Sequence, residues 1–190
     1  MNTTSIKLFV FATACLAAVV LPRGQNSRAD GSTKGPITIS EVKNYRKMFR
    51  VNEKPIDMVE ATKMMCAPPA WGDGPHYDPG VVYYINEVAR DGLKSFQKTR
   101  LFPLGSIIVK EKQERRTDDS VQIITVMKKV QSGGSEDSWE YRMYDTRKWV
   151  EIDFSKGATH PASKTCIECH RRYKDNDYIS NKGIELLLRS

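Results

Sequence analysis

The chain has 190 residues, 30 lysines and arginines against 23 aspartates and glutamates, a formal net charge of +7, and hydrophobic residues making up 39%. Its basic residues are interleaved with acids, as in Lys110-Glu111-Lys112-Gln113-Glu114-Arg115-Arg116, which reads as a solvated strand end and turn. A nucleic-acid site would need a clustered, one-sided basic stripe, so that class is excluded.

The first 29 residues read as a cleaved signal peptide. Lys7 supplies a positive start, Leu8 to Leu21 is an almost unbroken apolar run, and Pro22 ends it before a polar stretch closing on Ser27-Arg28-Ala29, with small residues where a signal peptidase reads. About fourteen apolar residues fall short of the ~20 that span a bilayer, so no membrane span is expected. Ala12-Thr13-Ala14-Cys15 faintly resembles a lipobox, but the apolar run continues past Cys15 where a lipoprotein signal should stop. Export to a periplasm or the outside of a bacterial cell follows. Cleavage after Ala29 removes Lys7, Arg23 and Arg28 and lowers the formal charge from +7 to +4. About 160 residues remain, enough for one domain with one core.

Residues 30–39, rich in Gly, Ser and Thr, read as a disordered leader to a single domain over 40–190. Ser40 fits the N-cap of a helix through about Arg50, with Val42, Tyr45, Met48 and Phe49 at helical spacing. Met58 to Met65 suggests another helical turn or two, stopped by Pro68-Pro69 and followed by a long loop to Pro79-Gly80. Val81 to Ile85 is β-branched and aromatic and predicts a strand; Asn86 then caps a helix to about Lys98. After the turn Phe102-Pro103-Leu104-Gly105, strands are expected at Ser106–Arg115, Val121–Val130, Ser138–Asp145 and Lys148–Phe154, joined by tight turns. The expected fold is α+β, a predominantly antiparallel sheet with a few helices to one side.

Near the C-terminus stands Cys166-Ile167-Glu168-Cys169-His170. Two thiols three positions apart can each add across a haem vinyl group, and the adjoining imidazole can ligate the iron. A C-x-x-C pair alone could be a redox disulfide or half a zinc site; the following histidine favours covalent haem, and no second C-x-x-C completes a zinc ribbon. The predicted cofactor is haem c, bound through Cys166 and Cys169 with His170 as the proximal iron ligand. Cys15 leaves with the signal peptide, so Cys66 stands alone, as a buried small hydrophobe, a haem-pocket thiol or half of an intermolecular disulfide. His76 and His160 are candidate sixth ligands, though exposed loop histidines are commoner. A mildly positive surface suits docking of an acidic soluble redox partner.

Phe102 to Glu111, Trp139-Glu140-Tyr141 leading to Tyr144-Asp145, Cys166 to His170, the tail Tyr173 to Tyr178 and the strand and helix over Val81–Lys98 closely resemble the cytochrome P-460 family. The resemblance implies a predominantly antiparallel β-fold, often a homodimer, with one haem, one axial histidine and an open distal face. Some relatives oxidise hydroxylamine; others, the cytochrome c′-beta proteins, bind nitric oxide and similar gases. In the enzymes a lysine of the strand opened by the Phe102 segment is cross-linked to the macrocycle, and Lys110 occupies that position. Strand alternation puts Ile108, Lys110 and Lys112 on one face and Ile107, Val109 and Glu111 on the other. The bland alternatives are a lysine snorkelling at the strand end or pairing with Glu111 or Glu114. No convincing distal carboxylate falls on Val121–Val130, where Met127 and Lys128 stand, which weakens hydroxylamine oxidation against gas binding or electron transfer. Trp139, Tyr141 and Tyr144 read as sheet core and haem packing.

Overall fold

A computed structural model describes residues 35–56, 80–113, 121–152 and 162–190. The signal-peptide reading, the helix at Met58–Met65, Cys15, Cys66, His76 and His160 lie outside the described residues.

The expected meander is present. Six antiparallel strands run in sequence order: β1 (Phe49–Arg50), β2 (Gly80–Ile85), β3 (Ile107–Gln113), β4 (Val121–Lys129), β5 (Trp139–Asp145) and β6 (Val150–Glu151). Helices α1 (Ile39–Val42), α2 (Glu87–Thr99), α3 (Ala162–His170) and α4 (Asn181–Arg189) accompany the sheet. The α+β class read from the sequence is therefore the observed one. Among the described residues no helix is long and apolar enough to cross a membrane.

Two expectations at the start of the domain are corrected. Order begins within the supposed leader, because Ile37 is buried and its N–H donates to Glu140 Oε2 at 2.8 Å. Thr38, not Ser40, caps the first helix: its Oγ1 accepts from the Glu41 N–H while Glu41 Oε2 accepts from the Thr38 N–H, a reciprocal capping box. The helix is one turn long. A 3₁₀ turn at Tyr45–Lys47 follows, and Met48, at φ −70° and ψ 170°, sends the chain into β1, where Phe49 pairs with Ile85 and Arg50 with Tyr84. The apolar spacing Val42, Tyr45, Met48 put these side chains on one packed face, but the edge of β2 offered the following residues backbone partners that a longer helix would forgo.

α2 matches expectation. Asn86 Oδ1 accepts from the N–H groups of Ala89 and Ile107 while its amide donates to the Gly105 carbonyl, so one side chain caps the helix and ties it to the turn opening β3. Gly92 sits where α2 meets that turn, and a Cβ there would come 2.4 Å from Pro103 Cδ and 2.7 Å from Cγ. Gly92→Ala should therefore cost about 1–3 kcal/mol by overpacking, despite alanine's better helix propensity. Thermal unfolding checks this; a raised melting temperature would contradict it.

The sheet is covered on both faces. On one, Ile85, Ile108, Trp139 and Tyr141 pack with Ala89 and Phe96 of α2, Ile184 and Leu187 of α4, and Cys166 and Ile167 of α3. On the other, Val82, Tyr84, Ile107, Val109, Ile124, Val126 and Tyr144 pack with Ile37, Val42 and Tyr45. Trp139 and Tyr141 thus share the α3 face, while Tyr144 faces away. This double cover corrects the reading of Lys110 to Lys112 as solvated. β3 is flanked by β2 and β4, and Lys110, Glu111 and Lys112 are 8%, 1% and 2% exposed.

Candidate functional site

α3 carries the thiols and the imidazole. Residues three and four apart on a helix share a face, so Cys166, Cys169 and His170 form one stripe. That stripe lies against β5: the Tyr141 and His170 rings are 5.2 Å apart, and Tyr173 stands edge-on to the same imidazole at 6.4 Å. Burial pushes the Cys166 thiol up to about 11; neighbouring Cys169 adds to the rise, and Lys110 opposes it. The Cys166 thiol thus keeps its proton where it would meet a vinyl group.

His170 has a defined tautomer. Its Nδ1 lies 2.5 Å from the Tyr178 carbonyl, and a carbonyl only accepts, so the proton sits on Nδ1 and the Nε2 lone pair is free. Burial lowers the pKa of the imidazole, the Tyr178 hydrogen bond opposes that, and Lys110 lowers it further. A neutral imidazole with its second nitrogen fixed by a backbone acceptor is the form a metal requires.

Lys110 lies on the α3 side of the sheet, since it shares a strand face with Ile108, which packs in the cluster with Cys166 and Ile167. In the ladder it stands between Tyr83 of β2 and Thr125 of β4, with Met143 of β5 beyond. Burial pushes the Tyr83 phenol up to about 12. Glu111, one of its supposed partners, points to the opposite face, where its Oε2 accepts from Tyr45 Oη at 2.6 Å and from Arg46 Nε at 3.0 Å. Lys110 is also no strand-end residue, being in the middle of β3.

The described carboxylates on the Lys110 face are engaged elsewhere. Register places Asp145 at the far end of that face, where it accepts from the N–H groups of Arg147 and Lys148 and pairs with the Arg147 guanidinium. Asp177 is held by Lys129. Lys128 faces the other side, paired with Glu41 at 2.6 Å. Met127 packs at the edge of the α3-side cluster.

The residues fit a haem. The donor set of two thiols and a neutral imidazole on one stripe suits it, and the facing sheet leaves Tyr141 Oη buried without a hydrogen-bond partner. An orphaned buried hydroxyl is costly, and a polar group of a bound cofactor would satisfy it.

The sequence reading quoted Asp177 and Tyr178 only within the tail Tyr173 to Tyr178 and gave neither of them, nor Lys129, a role. The stretch after the haem motif carries no glycine to mark its turn. Comparison with known proteins gives one family: the model described as Cytochrome P460 matches residues 42–180. Among curated proteins no match to the chain was found.

Proposed function

The chain belongs to the cytochrome P460 family, whose members carry haem, and from that footing we propose an exported mono-haem c-type cytochrome acting on a small nitrogen species. Cys166 and Cys169 would supply the thioethers and His170 Nε2 the axial ligand. When bound, the haem supplies an iron that changes redox state and has a coordination position open to hydroxylamine or nitric oxide. Electrons from an oxidised substrate would leave to a soluble redox partner. The observation that carries the reading is the stripe of Cys166, Cys169 and His170 on α3 packed against the sheet face that also carries Lys110.

The chain's own residues have separate tasks. His170 keeps Nε2 unprotonated through its bond to Tyr178, the thiols fix orientation, and the apolar cluster of Ile85, Ile108, Trp139 and Ile167 excludes water. In the enzyme reading Lys110 Nζ would be joined to the macrocycle, as in the enzymes of the family, with one N–H and one C–H hydrogen lost to an external two-electron oxidant.

A second reading, reversible gas binding without turnover, is favoured by one observation: the described residues place no uncommitted carboxylate on the Lys110 face to collect substrate protons. Absorption spectra of the oxidised and reduced protein, with and without Lys110→Ala, separate the two. The enzyme reading predicts red-shifted, broadened bands that revert in the variant to those of an ordinary c-type haem, with loss of hydroxylamine-dependent acceptor reduction. Bands and turnover unchanged in Lys110→Ala overturn it. Rapid nitric oxide binding with no turnover in either protein establishes the gas binder instead.

A further inference from the structure

Among the described residues, the most deeply buried charges stand not at the thiols but next to the acceptor of the histidine. Lys129 and Asp177 are both fully buried, with Nζ 2.5 Å from Oδ1. Asp177 Oδ1 also accepts from Trp139 Nε1 at 3.1 Å, and Oδ2 from the Phe102 N–H at 2.7 Å. Lys129 Nζ bonds Ser138 Oγ at 3.0 Å and lies 5.0 Å from the centre of the Trp139 ring. A buried ion pair is costly to assemble, and hydrophobic replacements of equal volume often stabilise as well. Its location is therefore informative.

Asp177 and Tyr178 both adopt left-handed backbone, with φ 51° and 66°. Two consecutive non-glycine residues in that region carry strain, which persists only where surrounding contacts impose it. The consequence falls on the next group along: the Tyr178 carbonyl is the acceptor for His170 Nδ1 at 2.5 Å.

We infer that Lys129 and Asp177 are positioning residues for the iron ligand, pinning the 177–178 corner so that the Tyr178 carbonyl holds the His170 Nδ1 proton and sets the donor strength of Nε2. This rests on the reading of His170 as the axial ligand. A short acceptor at Nδ1 draws the proton off the ring and gives Nε2 more anionic character, which strengthens the iron–imidazole bond and favours the ferric state. The same Asp177 carboxylate bonds Phe102 at the head of the turn that opens the Lys110 strand. One carboxylate thus fixes both the histidine corner and the turn leading to Lys110.

Asp177→Asn is the discriminating variant, because asparagine accepts left-handed backbone and keeps an oxygen for Phe102 while removing the charge that Lys129 needs. In the reduced holoprotein the iron–imidazole stretching band, read by resonance Raman, should move to lower frequency, and the midpoint potential should rise. Trp139→Phe removes the indole N–H and part of the ring while keeping an aromatic face for Lys129, and should shift both in the same direction by less; it decides the matter if Asp177→Asn yields no holoprotein. Val126→Ala, in the core of the opposite face, should lower the melting temperature and move neither. Variants that melt lower but keep the wild-type band and potential overturn the inference, as does an equal shift in Val126→Ala. A wild-type protein that binds haem but shows no iron–imidazole band sinks the ligand assignment itself, a separate failure.

Discussion

In a Lys110→Ala background, replacing both Cys166 and Cys169 with alanine should convert a haem that survives denaturation into one that acidified organic solvent extracts completely. With Lys110 removed, the thioethers are the bonds of the proposed attachment that unfolding cannot break. His170 would ligate only while the fold holds it against Tyr141 and the Tyr178 carbonyl, so without the thiols the cofactor should be lost when α3 melts. Each single variant should retain one thioether and stay covalently loaded, with its reduced bis-pyridine spectrum shifted to longer wavelength because one vinyl remains conjugated. Haem retained on the denatured double variant only while Lys110 is intact would report the Lys110 bond, whereas haem retained in the Lys110→Ala background would contradict the attachment through α3.

Asp177→Ala should be the most damaging single substitution for stability among those considered. It leaves the Lys129 ammonium buried with no counter-charge, which typically costs about 3–5 kcal/mol. The Phe102 and Trp139 N–H groups lose their acceptor as well, and alanine at φ 51° lacks the short polar side chain that eases left-handed backbone. At about 2–4 °C per kcal/mol for a chain of this size, the melting temperature should fall by roughly 10 °C. A loss under about 1 kcal/mol would show that water or another group compensates Lys129, and that the pair is not the closed unit its geometry indicates.

The sheet was legible in the sequence because its signals are local. β-branched and aromatic runs punctuated by Gly, Ser and Asp turns placed four of the six strands to within one or two residues of their described ends, and Asn86 announced α2. What escaped depends on partners distant in sequence. β1 exists because the edge of β2 pairs with it, and nothing near Phe49 encodes that. α4, with Gly183 in its first turn, has a weak start signal, and Ile184 and Leu187 gain their value from the α3-side core. The charged string at Lys110–Lys112 looked solvated because alternating charge usually is, and only the strands on either side show it is enclosed. The site divides in the same way. Cys166, Cys169 and His170 form a motif with fixed spacing, whereas Lys129 and Asp177 stand 48 residues apart and become a pair only through the fold.

Lys110 shows how the two kinds of information combine. Alternation along β3 put it on the face of Ile108, and the structure finds Ile108 in the cluster with Cys166 and Ile167, while Ile107 and Val109 lie in the other. Burial next to the thiols removes the reading of a solvent-seeking strand-end lysine. Whether its Nζ bonds the macrocycle is a question of two hydrogens in mass.

Whether one haem is held covalently through the stripe on α3 is read from the intact mass of the denatured wild-type protein. A single species is expected at the mass of the mature polypeptide plus one haem, or two hydrogens below it where Lys110 is cross-linked. A denatured protein at the mass of the polypeptide alone, recovered from cells that attach haem to other c-type cytochromes, would contradict it.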